Sequence, residues 1–129
     1  MRLLLDTHVW LWSLREPQRL SRRIARELDD PSNELWLSPV SAWEALLLKA
    51  KGRIQVPGDV AEWLALATQN LREAPLTHEI ALAAHRLPSS QQDPADRFLA
   101  ATAQVLDLIL VTADVRLLGL GDIKTLANR

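Results

Sequence analysis

The chain opens on an apolar run, LLL at residues 3–5, with no polar alternation before Asp6. Residues 2–5 predict a short strand covered on both faces, because a strand with one wet face would alternate. SRRIARELDD follows from Ser21 with a cap residue and helical spacing, Ile24 and Leu28 inward and the arginines outward. ELWLS at 34–38 is a second apolar strand. Pro39 then stands where a helix begins, and PVSAWEALLLKAKG runs to a closing Gly52. Val60, Trp63, Leu64, Ala67 and Leu71 recur at helical spacing, which predicts a helix over about 59–71. REAPL predicts a brief strand and THEIALAAHRL a helix capped by Thr77. DPADRFLAATAQVL has Asp93 at the cap and Pro94 at the first helical position. LILVT at 108–112 is a further strand, followed by ADVRLLGLG and a last strand around Ile123.

Strands that alternate with helices and carry no polar face predict a three-layer α/β/α sandwich. Its centre is a mostly parallel sheet of four to five strands, and residues 1–129 form one domain. Ligands of such sheets bind beyond the carboxyl ends of the strands. Asp6 follows the first strand at such an end, and Asp114 follows LILVT at another.

Composition narrows the chemistry. The 129 residues include no cysteine, which excludes disulfides and thiolate metal sites and makes the cytoplasm the expected compartment. The N-terminal run is too short, and too soon interrupted by Asp6 and His8, for a signal peptide or a membrane span. A net charge of -1 provides no general attraction for nucleic acid, so any such binding must come from local patches. Five tryptophans stand against one phenylalanine and no tyrosine. Trp10, Trp12, Trp36, Trp43 and Trp63 are expected in the core or at a partner interface.

Several carboxylates then stand out by position. Val40, Trp43 and Leu47 form an apolar stripe on their helix, and Glu44 shares that face. A charge there is paired by a cationic side chain, protonated, bound to a cation, or at the stripe's edge. Asp93 and Asp96 fall in a helix's first turn, where backbone N–H groups favour negative charge. Capping accounts for Asp93; Asp96 is less needed for it. Asp114 and Asp6 also stand where helix caps belong. Taken singly, each acid has this plain structural explanation. As a set, Asp6, Glu44, Asp96 and Asp114 come to one edge of the predicted sheet. Like charges that close stay ionised only if a cation neutralises them, and an all-oxygen donor set suits Mg²⁺ or Mn²⁺.

LLLDTHVWLW, SPVSAWEALLLKAKGRI, DPADRFLAATAQ and LVTAD, in that order, resemble the PIN-domain nucleases, specifically the VapC-type toxins of toxin–antitoxin pairs. The resemblance covers nearly the whole chain. It puts Asp6, Glu44, Asp96 and Asp114 on the family's acidic positions, Thr112 on its hydroxyl position, and Asp93 on an additional aspartate seen in one branch. Gln91 and Gln92 depart from a His-Arg pair often found there. The resemblance implies Mg²⁺- or Mn²⁺-dependent endonucleolytic cleavage of RNA, a small antitoxin as partner, and a homodimer, with no role for a membrane. Leu11, Trp12 and Leu14 suit such interfaces or the core equally. For binding the RNA substrate the candidates are Thr112, Lys49, Lys51, Arg53 and Arg97, whereas Arg19, Arg22, Arg23 and Arg26 read as a solvated helix face. His8, His78 and His85 are scattered; only His8, two residues from Asp6, is placed to touch substrate. The rival is a non-catalytic α/β binding domain whose acids cap helices, or one like a response-regulator receiver. A receiver lacks support here: no second acid adjoins Asp6, and the middle strand ends in Ser38. A haloacid dehalogenase-type phosphatase would need Asp-x-Asp, but His8 follows Thr7.

Overall fold

A computed structural model describes residues 1–88 and 93–129; the Gln91-Gln92 departure lies outside them. β1 (Arg2–Leu5) leads into α1 (Thr7–Arg15), a 3-10 turn at Pro17–Arg19, α2 (Arg22–Asp29), β2 (Glu34–Leu37) and α3 (Pro39–Ala50). α4 (Val60–Ala67), β3 (Arg72–Glu73), α5 (His78–Arg86) and α6 (Pro94–Leu106) follow, then β4 (Ile109–Thr112), α7 (Val115–Leu118) and β5 (Thr125–Ala127). The five strands pair in the order β3-β2-β1-β4-β5, every pair parallel. Three layers and a parallel sheet are what the unalternating strands require.

β1 lies at the middle and feeds both layers. Leu3 and Leu5 pack with Val9, Trp10, Ile24 and Ala45 on one face. Leu4 packs with Leu99, Ala100, Ala103 and Leu117 on the other. Leu3, Leu4 and Leu110 are fully buried, each contributing about 1.5–3 kcal/mol by leaving water. The chain runs outward from β1 through β2 to β3, then returns across the sheet to β4 beside β1. That reversal makes a switch point between β1 and β4, where parallel sheets open a crevice.

Local signals place most boundaries. Ser38 caps α3 by accepting from the Val40 N–H at 3.0 Å, with Pro39 in the first turn. Gly52 has φ +71° beyond the helix end. The N–H of Gly52 donates to Lys49 O and that of Arg53 to Leu48 O, closing α3 in the manner glycine allows.

Three expectations are corrected. The helix predicted over 59–71 ends at Ala67: the Thr68 N–H is the last to reach four residues back, to Leu64 O, and those of Gln69 and Leu71 reach only three, to Leu66 O and Thr68 O. Leu71 still packs into the core, but from the turn before β3. The last strand lies at Thr125–Ala127, just past Ile123, which packs against the cluster of Leu4, Leu99 and Leu110. α3 buries Ser41 and Ala45 rather than Val40, Trp43 and Leu47; Trp43 is 61% exposed. Small residues let α3 approach α1 closely, and the large apolar ones are left outside. The tryptophans divide accordingly. Trp10 is buried, its Nε1 donating to Ala67 O at 3.1 Å, and packs on Trp63 at 5.9 Å. Trp12 and Trp36 are half-buried, and Trp43 faces out. Among the described residues no helix is long and apolar enough to cross a membrane.

Candidate functional site

Asp6 leaves β1 at the switch point with only 7% of its surface exposed. Its N–H extends the sheet by donating to Val111 O at 3.0 Å. Its Oδ1 accepts from the His8 N–H at 3.0 Å, capping α1, and its Oδ2 accepts from Thr112 Oγ1 at 2.5 Å. Thr112 ends β4, and the same hydroxyl accepts from the Asp114 N–H at 3.0 Å. Thr112, expected to meet substrate, is instead fully buried, and its hydroxyl ties together the acids that follow two neighbouring strands.

Asp114 caps α7 by accepting from the Arg116 N–H at 2.9 Å. The Arg116 guanidinium folds back on the same carboxylate, Nε to Oδ1 at 3.2 Å and Nη2 to Oδ2 at 3.0 Å. The Arg116 side chain holds the Asp114 carboxyl below its ordinary value. Nη2 also reaches within 4.0 Å of Asp96 Oδ2.

Asp93 caps α6, accepting from the Ala95 and Asp96 N–H groups at 2.9 and 3.3 Å. Capping, the rival account, therefore holds for Asp6, Asp93 and Asp114. Asp96 and Glu44 have no such role. Glu44 projects from α3 beside α1 and accepts from the Thr7 hydroxyl, which also bonds Ser41 Oγ at 2.8 Å. Burial raises the Glu44 carboxyl; the Thr7 bond opposes this, and repulsion by Asp93 and Asp6 adds to it. Asp96 is pushed up to about 7, first by burial and then by Asp93, Asp6, Asp114 and Glu44. A carboxyl that feels four others is a measure of how far the acids have converged.

All five line one cleft of about 300 Å³, with His8, Trp12 and Arg116 on its walls. A larger hollow of about 380 Å³, walled mainly by Leu37, Pro39, Ala42, Leu64 and Leu71, gathers no comparable charge. The cleft offers oxygen donors, with the His8 ring 4.0 Å from Asp6 at its rim. Among the described residues no three His, Asp or Glu stand at the spacing of a closed ion site. Three of the five have separate side-chain partners, Asp6 with Thr112, Glu44 with Thr7 and Asp114 with Arg116, while Asp93 accepts from backbone N–H groups and Asp96 shares Arg116. The donor chemistry fits a hard divalent cation, since burial together with four neighbouring negative charges is what such an ion relieves.

The other sequence candidates divide. Lys51 joins Thr7, His8 and Glu44 around a shallow hollow adjoining the cleft. Lys49 and Arg53 are exposed near the same end of α3. Arg97, expected at substrate phosphate, points away: its guanidinium donates to Ala84 O at 2.6 Å and to the Leu87 and Pro88 carbonyls, closing the end of α5. His78 and His85 are exposed on α5, and neither lines the cleft. Sequence reasoning missed Arg116 and Thr7. Both had signals: an arginine two residues after a capping aspartate can fold back on it, and a threonine next to a buried acid starts the helix facing α3.

A parallel α/β/α domain with carboxylates gathered at its switch point is the class that fold and cleft define. Residues 3–122 match the PIN domain family model, and the chain belongs to that family. It is 39% identical over 116 residues to Ribonuclease VapC22 of Mycobacterium tuberculosis (strain ATCC 25618 / H37Rv), covering 89% of this chain and 88% of that protein. The fold is similar to that of VapBC2 from Rickettsia felis bound to a DNA fragment from its promoter, with a TM-score of 0.75 and 12% identity over 98% of both chains. A toxin–antitoxin complex from Klebsiella pneumoniae is also similar, with a TM-score of 0.71 and 18% identity over 98% of both chains.

Proposed function

We propose that the protein is a metal-dependent endoribonuclease, the toxin of a type II toxin–antitoxin pair, hydrolysing RNA phosphodiesters in the carboxylate cleft. The observation that carries this is Asp96, a half-buried carboxyl that caps nothing and lines one cleft with Asp6, Glu44, Asp93 and Asp114. Its relative's name, Ribonuclease VapC22, and the toxin–antitoxin assembly among its structural neighbours support the substrate class and the partner.

Asp6, Glu44, Asp96 and Asp114 would hold Mg²⁺ or Mn²⁺, with Asp93 at the rim. Bound there, the ion would acidify a water and offset charge on the phosphodiester oxygens. The chain's own groups do the positioning. Thr112 fixes the Asp6 carboxylate, Thr7 fixes that of Glu44, and the packed ends of β1 and β4 keep both in place. Arg116 and Lys51 supply positive charge beside the acids, where a phosphate must approach an otherwise negative cleft. The whole of residues 1–129 acts as one nuclease domain in the cytoplasm, dimeric and silenced by a small antitoxin.

The test is purified protein with total RNA in Mg²⁺ or Mn²⁺ or with a chelator, followed by mapping of cleavage ends. Cleavage should require the ion and fall by about 100-fold or more in Asp96→Asn, while thermal unfolding shows an intact fold. Asp96 discriminates well because it caps nothing, so a capping role gives its loss no way to abolish cutting. Equal cleavage in chelator, or full activity in Asp96→Asn, defeats the reading.

A further inference from the structure

We infer that Trp12, with Arg19 stacked on it, forms a subsite for an unpaired nucleotide next to the scissile phosphate; the inference rests on the nuclease reading. Trp12 is half-buried on α1, and its indole lines the cleft that the five acids share. The Arg19 guanidinium lies over that ring, Cζ 4.4 Å from its centroid. The His8 ring stands 6.0 Å from it, tilted by 51°. Core packing accounts for neither arrangement, since Arg19 and His8 are both exposed.

The assembly is held from behind. Asn128 Nδ2 donates to Arg19 O at 3.1 Å, and Asn128 Oδ1 accepts from the Ser21 N–H at 2.7 Å, pinning the turn that carries Arg19. The guanidinium spends one donor on Glu16 Oε2, at 3.3 Å, leaving others for a phosphate. An aromatic face with a cation against it suits a nucleobase and its backbone. Within a duplex the base faces are already stacked, so such a subsite takes an unpaired base. It also answers how a chain of net charge -1 draws RNA toward a carboxylate cleft: the π face stands on its wall, and the Arg19 cation is held against that ring.

The experiment uses a labelled single-stranded oligoribonucleotide spanning a mapped cut site, the same strand made abasic at each position flanking the cut, and the duplex. Cleavage gives kcat and KM separately, and fluorescence anisotropy in chelator gives binding alone. Trp12→Ala should raise KM about tenfold with kcat changed less than about twofold, and Trp12→Phe should lose less. One abasic position should cost wild type a similar factor, and the two losses should not add. Duplex binding should not respond to the substitution. The inference is overturned if Trp12→Ala acts equally on intact and abasic strands, or leaves single-strand binding unchanged and so leaves the wall to a protein partner. Should wild type cut no RNA in either ion, the nuclease reading fails by itself, and anisotropy with an unstructured oligoribonucleotide, intact or made abasic throughout, still decides whether Trp12 takes a base.

Discussion

Asp96 is the residue in which the cleft's electrostatics are most exposed to measurement. Folded, it keeps its proton to about pH 7; its ordinary value is 3.8. Between those values the native state binds the extra proton, so stability falls as pH rises through the window and levels off above it. Glu44, raised in the same direction, adds to this slope. Asp114, lowered by Arg116, acts in the opposite sense but below the ordinary carboxylate value, outside the window. In chelator, urea unfolding should show stability falling from about pH 5 to about pH 7.5 by on the order of a few kcal/mol, and Asp96→Asn should remove much of that fall. An unchanged slope in Asp96→Asn would show that the carboxyl is not under strain. The acids themselves were legible from the sequence, because Asp6, Asp93 and Asp114 sit at cap positions that local pattern marks. Arg97 was not. Adjacency to Asp96 suggested a shared target, but neighbours on a helix point about 100° apart. Asp96 faces the cleft, and Arg97 faces the carbonyls ending α5.

At the scale of elements, periodicity found helices more reliably than it found their buried faces. In α3 the large apolar residues Val40, Trp43 and Leu47 make a regular stripe, yet the helix turns Ser41 and Ala45 inward. Hydrophobic spacing reports amphipathicity without reporting how close a neighbour comes. Here the residues buried against that neighbour are the small Ser41 and Ala45, and the Thr7–Ser41–Glu44 bonds join α1 to α3. Glu44 was therefore placed on the inner side for the wrong reason: its neighbour on that side is Ser41, not Trp43. Ala45→Leu should overpack the contact and cost about 1–3 kcal/mol in chemical denaturation, while moving Glu44 away from the other acids. Trp43→Ala, on the outer side, should change stability by less than about 0.5 kcal/mol. The reverse ranking would restore the stripe as the buried face.

The whole molecule explains why acids so distant in sequence meet. Unalternating strands made the parallel sandwich legible, but not the order β3-β2-β1-β4-β5, which depends on how crossovers return across the sheet. That return sets β4 beside β1, so Thr112 can bond Asp6 across 106 residues of chain. It also brings the start of α6 and the α3 face over the same crevice. A site assembled from four separate elements exists only in the folded chain, so an ion that binds it must stabilise the fold as a unit. The gain follows RT ln(1 + [L]/Kd), about 2.7 kcal/mol when the ion stands at 100 times its Kd. Thermal unfolding should therefore move to higher temperature as Mn²⁺ or Mg²⁺ is added, and return when chelator removes it. The gain should be larger at pH 8 than at pH 5, where Asp96 holds a proton and the ion must displace it. Asp96→Asn should unfold at a higher temperature than wild type in chelator, yet gain little from the ion. If the ion shifts wild type and Asp96→Asn by the same amount, it binds elsewhere on the protein, and the convergence of carboxylates at the switch point is not an ion site.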